Sequence, residues 1–349
     1  MTTLAIVGAG ASGCAAAWAL RDADVSVTIF EKSRGVAGRA ATRGRHGARY
    51  DHGANYVTPT SRRVRTLITE TLPTAALVDI DRPVWTFDAD GTLHPPDRES
   101  ASPKWTYRQG VSTLGTLLAD ASEAAIHHQV RIQAVNRTTD GDWRLTDTDG
   151  ETHGPFDTVL LTPPAPQTAD ILRQGTFAAD VQSDLVEAME AAKYVSQFAC
   201  IFAVDRGLDL PGDAYGYRST GDDSPLAWVG VENAKPGHVP DGETLLVVQT
   251  APAWTAPRVD TDPADVLPDV QAAVEGVLDV DLSPLAWTDT QRWRYALPVS
   301  GMDRDAQAAG EHLGLFVAGD GVVGTGRVGH ALESGLDAAD RLQTRFSAR

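Results

Sequence analysis

Lysine and cysteine are both scarce in this chain. Only four of the 30 basic residues are lysine (Lys32, Lys104, Lys193 and Lys235), set against 47 acids and a formal net charge of −17. So acidic a surface argues against a general affinity for nucleic acid or for an anionic membrane. Excess Asp with Arg favoured over Lys keeps a surface hydrated and repulsive. That balance suits a halophilic, high-salt cytoplasm, where charges are screened within about 3 Å at 1 M. The two cysteines, Cys14 and Cys200, form no motif, so neither a disulfide framework nor a structural zinc site is expected. Long hydrophobic runs are missing as well. Nothing approaches the ~20 apolar residues of a membrane span, and the apolar residues 4–20 lack the basic leader of a signal peptide. The expectation is a cytoplasmic protein with no membrane and no metal. Hydrolytic signatures are absent too: the chain has no H-E-x-x-H, no G-x-S-x-G and no Ser/His/Asp order.

What is present describes a globular chain. It has 349 residues, 42% hydrophobic and 22% charged, too long for one simple core, so two domains are expected. Residues 3–7 read as an apolar strand, 11–20 as an Ala-rich helix and 25–30 as a second strand, the opening β-α-β unit of a parallel nucleotide-binding sheet. Residues 35–53 read as a Gly- and Arg-rich loop. A hairpin is expected over 85–93, turning at Asp90-Gly91, and a meander of strands over 130–136, 143–147 and 158–162. Further strands are expected at 197–204, 226–232 and 245–250, with a helix over 263–278. The chain closes with a strand over 313–318 and a helix over 327–345, which resemble its start. The C-terminus is therefore expected to return to the first domain. The expected division is 1–72, 104–165 and 290–349 for a discontinuous nucleotide domain, and 73–103 with 166–289 for a substrate domain.

Gly8-Ala9-Gly10-Ala11-Ser12-Gly13 is a G-x-G-x-x-G loop between strand and helix. Gly8 permits the tight turn, Gly10 lets the backbone approach a pyrophosphate, and Gly13 lets the helix pack closely, with the helix N-terminus facing the anion. Glu31 stands about twenty residues on, where a carboxylate accepts from ribose hydroxyls. Together these predict an ADP-containing cofactor, NAD or FAD.

The sequence beyond Glu31 separates the two. Gly38-Arg39-Ala40-Ala41-Thr42 resembles the second glycine-rich signature of the flavin amine oxidase superfamily, with Ala37 where the first of its paired glycines would be. Asp51-His52-Gly53-Ala54-Asn55-Tyr56 looks like that family's D-x-G-x-x-Y/F segment, which passes along the flavin. Phe316 to Asp320, followed by Arg327, Val328 and Ala331, resembles its C-terminal strand and helix. Val135 matches the strand whose backbone meets the adenine. Within the superfamily, EKSRGVAGR, YDHGANY, TPPAPQTADIL and the Arg292 to Ala296 segment look closest to renalase and its bacterial relatives.

The resemblance implies a mixed α/β fold of the p-hydroxybenzoate hydroxylase/amine oxidase type. A Rossmann-type FAD-binding domain would carry an interleaved substrate domain built on a mainly antiparallel sheet. It implies non-covalent FAD held by Gly8, Gly10, Ala11, Ser12, Gly13, Glu31, Lys32, Gly38, Arg39, Gly53, Ala54, Asn55, Tyr56, Val135, Gly319, Asp320, Arg327, Val328 and Ala331. Covalent attachment through a C-terminal cysteine is excluded, because no cysteine follows Cys200.

Renalase-like enzymes oxidise 2- or 6-dihydro isomers of NAD(P) by hydride transfer to flavin N5 and pass the electrons to O2. Tyr56 and Trp293 are the expected substrate-facing residues. A small-amine oxidase is the alternative, although its Lys near flavin N5 finds a match only in the unconvincing context of Lys193. A non-catalytic FAD-binding protein is a further alternative. Arg34, Arg43, Arg45 and Arg49 exceed what one pyrophosphate needs. They form either a solvated basic loop or a patch that steers a second anionic dinucleotide, the substrate.

Overall fold

The computed structural model describes residues 1–96, 102–221 and 224–347. Its first sheet is parallel, with five strands in the order β19 (Leu315–Val317), β13 (Thr158–Leu161), β1 (Thr2–Val7), β2 (Val25–Glu31) and β9 (Ala125–His128). Such a sheet is covered on both faces, so its strands must be apolar throughout. Leu4 and Ile6 face one side, where they meet Cys14, Ala16, Leu118, Leu332 and Leu336 from the helices Ala11–Ala19, Thr113–Ser122 and Val328–Ser347. Ala5 and Val7 face the other and share a core with Val135, Trp143, Leu172 and Leu185. The C-terminal strand and helix thus complete the nucleotide sheet, as the sequence led us to expect.

Several expected boundaries are corrected. Residues 158–162 do not close a meander. The meander is β10 (Ile132–Arg137), β11 (Trp143–Asp147) and β12 (Thr152–Phe156), and β13 leaves it to lie parallel to β1. Every residue of β13 is buried, whereas β12 alternates between exposed and half-buried. That difference is what separates a central parallel strand from an edge one. The helices Ala165–Gln174 and Ala179–Ala191 supply Leu172 and Leu185 to the nucleotide-domain core, so the boundary expected at 166 cuts them from it.

The second sheet has seven strands in the order β18 (Trp287–Pro298), β14 (Tyr194–Val204), β17 (Thr244–Thr250), β16 (Leu226–Val231), β15 (Gly216–Ser219), β6 (Val84–Phe87) and β7 (Leu93–His94). All its pairings are antiparallel except β15 with β6. β18 is the longest strand and escaped the sequence reading, because WTDTQRWRYALP lacks an apolar alternation. The boundary expected at 290 falls inside it. Alternate residues Phe198, Cys200, Phe202, Val229, Leu246 and Val248 pack under the helix Leu267–Leu278. The opposite face carries Gln197, Ala199, Trp228, Gly230, Gln249 and Trp293 in register, and it turns toward the glycine-rich loops.

Those loops hold more order than expected. Within residues 35–53 a hairpin forms from β3 (Thr42–Arg45) and β4 (Ala48–Asp51). Among the described residues no helix is long and apolar enough to cross a membrane.

Candidate functional site

The site lies at the carboxyl ends of β1, β2 and β19, where the two sheets meet. Gly8 adopts φ +97°, and its N–H donates to the Phe30 carbonyl at 2.8 Å. A side chain at Gly13 would strike the Gly8 carbonyl, so the first helix can start this close to the strand only with glycine there. At Gly10 the geometry is the reverse: no atom lies within 4 Å of the position a Cβ would take. This open cradle sits at the N-terminus of the helix Ala11–Ala19, which has neither a side-chain cap nor an acid in its first turn. Exposed backbone N–H groups and a positive dipole end suit a pyrophosphate. The Oγ of Ser12 is buried there without a partner.

Glu31 accepts from the backbone N–H groups of Ala9 and Ser33, both at 2.7 Å. These bonds fix the carboxylate beside the loop and leave lone pairs for ribose hydroxyls. Lys32 donates to Gln167 at 3.2 Å. Burial and then the neighbouring Arg131 lower its pKa, which brings Arg131, missed in the sequence, to the adenosine end. Val135 lies in the same core cluster as Val7 and Phe30, and its carbonyl accepts from Thr176 N–H at 3.2 Å.

The second glycine loop touches the first. Ala37 N–H donates to the Ala9 carbonyl at 2.8 Å, and the Gly10 Cα is only 3.1 Å from where a Gly38 Cβ would stand. Ala37 holds the turn with φ 78°, a left-handed conformation that costs a non-glycine residue about 1–2 kcal/mol. Arg39 then reaches across to Asp320 (2.5 Å) and to the carbonyls of Tyr295 (3.2 Å) and Ala296 (3.1 Å).

Its neighbours do the same along β18. Arg43 bonds Asp289 and Gln291, and Arg45 bonds the Thr288 carbonyl at 2.8 Å. Arg49 donates to the Arg108 carbonyl at 3.2 Å. Arg39, Arg43 and Arg45 are therefore a clasp between the nucleotide domain and the edge of the second sheet, whereas Arg34 is exposed. Asp320 follows Gly319 (φ 134°), whose N–H donates to Ser334 Oγ at 3.0 Å. Val328 opens the last helix, Ala331 N–H donates to the carbonyl of the exposed Arg327 at 3.1 Å, and a side chain at Gly329 would strike the Thr58 carbonyl. The first turn of that helix thus abuts the chain just beyond Tyr56.

The segment from Asp51 to Tyr56 runs across the second sheet and is pinned at nearly every residue. Asp51 is fully buried and accepts from Thr42 Oγ1 (2.6 Å), Val111 N–H (2.9 Å) and Lys235 Nζ (2.8 Å). Lys235 also meets Glu232 at 2.7 Å. Glu232 in turn meets His238 Nδ1 at 2.7 Å, while His238 Nε2 faces the Tyr107 carbonyl at 3.0 Å. Burial alone would raise the Asp51 carboxyl, but the Lys235 ammonium and then His238 hold it below the usual carboxylate range. Burial alone would lower Lys235, and Asp51 and Glu232 hold it above its ordinary value. Asp51, Glu232 and His238 converge closely enough to ligate a cation; the ammonium of Lys235 takes that part.

Trp293 Nε1 donates to the His52 carbonyl at 2.8 Å, and the two rings stack at 5.5 Å and 16°. His52 is 6% exposed, its Nδ1 has no partner, and burial and then Arg43 depress its pKa to about 4. Gln249 Nε2 donates to the Gly53 carbonyl at 2.6 Å, Ala54 N–H to the Arg39 carbonyl at 2.9 Å, and Tyr215 OH to the Asn55 carbonyl at 3.1 Å. Tyr56 packs against Tyr215 (5.9 Å) and Trp228 (6.1 Å). The two residues expected to face substrate therefore stand at opposite ends of one segment. Gln249, Trp228, Tyr215 and Lys235 were missed. They stand in or next to strands of ordinary composition, and only the register reveals which face they occupy.

These features fit an ADP-containing dinucleotide. Two glycine loops and a helix N-terminus surround an open cradle, with an anchored acid at each end. Residues 6–71 match the NAD(P)-binding Rossmann-like domain family, and residues 80–343 match the flavin containing amine oxidoreductase family. Among solved structures the chain is similar to an Exiguobacterium sp. 255-15 protein provisionally named a protoporphyrinogen oxidase (TM-score 0.77, 16% identity, 99% of each chain). It is also similar to reduced UDP-galactopyranose mutase (TM-score 0.78, 13% identity, 99% of this chain and 94% of that one). A putrescine oxidase triple mutant aligns over 99% of this chain and 100% of its own, with TM-score 0.74 and 13% identity. At such identities these structures establish a shared fold. The longer family match covers well over half of the sequence: the chain belongs to the flavin containing amine oxidoreductase family and is an FAD-dependent oxidoreductase.

Proposed function

We propose that this enzyme is a renalase-like oxidase that returns 2- or 6-dihydro isomers of NAD(P) to the pyridinium form. Bound FAD would supply the acceptor for the hydride, and O2, taking two electrons and two protons, would leave as hydrogen peroxide. Gly8 to Gly13, Gly38 and Arg131 would surround the pyrophosphate and adenosine, with Glu31 on the ribose. Arg39, Asp320 and the first turn of the last helix would hold the ribityl chain and ring, and the segment His52 to Tyr56 would lie along the flavin.

The observation that carries this reading is that, apart from Glu31, which backbone N–H groups anchor, the carboxylates built into the site are paired with cations. Asp51 and Glu232 bind Lys235, Asp289 binds Arg43, and Asp320 binds Arg39. A cationic amine would have to break one of these pairs, whereas a neutral planar ring meets Tyr56, Trp228 and Trp293. Lys193 donates to the Glu190 carbonyl at 3.3 Å and Lys235 is buried among acids, so neither is free to serve as an amine oxidase's lysine. Hydride loss that yields an aromatic pyridinium needs orientation more than a base. His52, uncharged across neutral pH, suits such a site.

Anaerobic titration of the holoenzyme tests the proposal. The 2- or 6-dihydro isomers should bleach the visible flavin band stoichiometrically, while primary and secondary amines leave it oxidised. Bleaching by amines alone would establish the amine oxidase reading instead.

A further inference from the structure

Two buried polar atoms of the site lack a hydrogen-bond partner, the Nε1 of Trp228 and the Oδ1 of Asn55. Each residue is 7% exposed. Both atoms converge on the bare side of Gly230, where a Cβ would lie 2.8 Å from Trp228 Nε1 and 3.2 Å from Asn55 Oδ1. A residue larger than glycine would wedge the two side chains apart. An indole N–H can only donate. It therefore disfavours the Asn55 NH2 group on its own side and favours the Asn55 oxygen. That preference agrees with the orientation in the structure, where Oδ1 lies on the Gly230 side of the sheet and Nδ2, the other limb of the planar amide, is turned away from it. Tyr215 OH holds the same residue through its main-chain carbonyl, so the backbone is fixed as well.

We propose that Asn55 is the carbonyl-recognising residue of the site. Its Nδ2 donates to the carboxamide oxygen of the substrate, and Trp228 and Gly230 act as positioning residues that set its orientation. This deepens the dihydronicotinamide reading and rests on it. A donor held rigidly at this position serves a ring that bears a carbonyl and repels an ammonium, which itself carries only donors.

The test separates this proposal from the reading beneath it by measuring binding without turnover. Nicotinamide, 3-acetylpyridine and thionicotinamide are titrated into oxidised holoenzyme by calorimetry. The first two keep the carbonyl oxygen, while sulfur in the third is a poor acceptor. Wild type should bind nicotinamide and 3-acetylpyridine about equally, and thionicotinamide about tenfold more weakly. Asn55→Asp replaces the donor by an acceptor and should weaken the two carbonyl ligands at least tenfold while changing thionicotinamide little. Trp228→Phe, which keeps an aromatic side chain, smaller and without the N–H, should erase part of the same preference at unchanged FAD content. Gly230→Ala should do likewise.

Equal binding of all three probes by wild type, no binding of nicotinamide, or an unaltered preference in both Asn55→Asp and Trp228→Phe would each overturn the proposal. If the carbonyl preference holds while no dihydronicotinamide bleaches the flavin, the assignment of Asn55 stands for another carbonyl ligand and the proposed activity falls.

Discussion

The two faces of the seven-stranded sheet are built from alternate residues of the same strands, yet toward the glycine-rich loops they differ in kind. Under the helix Leu267–Leu278 lie Phe198, Cys200, Phe202, Leu246 and Val248, all essentially closed to solvent. One residue along, the other face presents Gln197, Gln249, Trp228, Gly230 and Trp293 to the segment that begins at Asp51. The first face binds through area and shape, and any well-packed apolar set would serve it. On the second, Trp293 and Gln249 each hold one backbone carbonyl, and a missing atom leaves a named group without its partner. Over this end of the sheet stability and chemistry are thus separated by a period of two, while farther along the second face Ile201, Ala203, Leu245 and Val247 pack with Tyr50 as core.

The largest test of that separation lies at the margin of the polar face. Lys235→Met leaves Asp51 and Glu232 buried without their shared cation and should cost about 3–5 kcal/mol, read as a lowered urea midpoint. Adding Asp51→Asn and Glu232→Gln to that variant should recover part of the loss; no recovery would show that shape, and not charge, governs the cluster. On the apolar face, Phe198→Ala should cost about 3–4 kcal/mol through lost transfer energy and a cavity. Flavin content and the rate of flavin reduction per folded holoenzyme should stay unchanged. A changed rate would break the distinction between the faces.

Trp293→Phe removes the N–H that donates to the His52 carbonyl and shrinks the ring stacked on His52. About 1 kcal/mol of stability should disappear, accompanied by a changed flavin spectrum that Phe198→Ala does not produce. A further effect concerns acid. His52 titrates at about 4 when folded against an ordinary 6.5. Between those values the unfolded chain binds a proton that the folded chain does not, so stability falls as pH drops from 6.5 toward 4. His52→Phe should flatten that part of the curve, seen as a smaller difference in urea midpoint between pH 7 and pH 5.

The same contrast explains what the sequence could tell. Gly8 to Gly13, Glu31, Asp51 to Tyr56 and Asp320 were legible because each depends on local spacing: a turn, a helix start, a strand end. The parallel sheet was legible for its apolar runs. β18 was not, since its alternate residues face a cleft and carry Asp289, Gln291, Trp293 and Tyr295, a pattern that apolar periodicity passes over. Lys235 looked like any surface lysine. Only the pairing of β16 with β17, and the turn that follows β16, bring it beneath Asp51, 184 positions away along the chain. The arginine-rich stretch was visible as a charge anomaly. The partners of Arg39, Arg43 and Arg45, however, include carbonyls and a carboxylate of β18 about 250 residues on, a distance no local pattern encodes.

The order of the parallel sheet has a consequence for how the molecule comes into being. β1 is flanked by β2, close by in sequence, and by β13, which begins at Thr158; β13 in turn waits for β19 at Leu315. A ribosome that has just made the glycine loop has made a motif with no floor beneath it. Until β13 has emerged β1 has only one neighbour, and until the chain beyond β19 has emerged Asp320 cannot meet Arg39. Long-range parallel pairing is slow and leaves strand edges exposed meanwhile. The cofactor cradle, translated well before β13 and β19, is among the last parts to be finished.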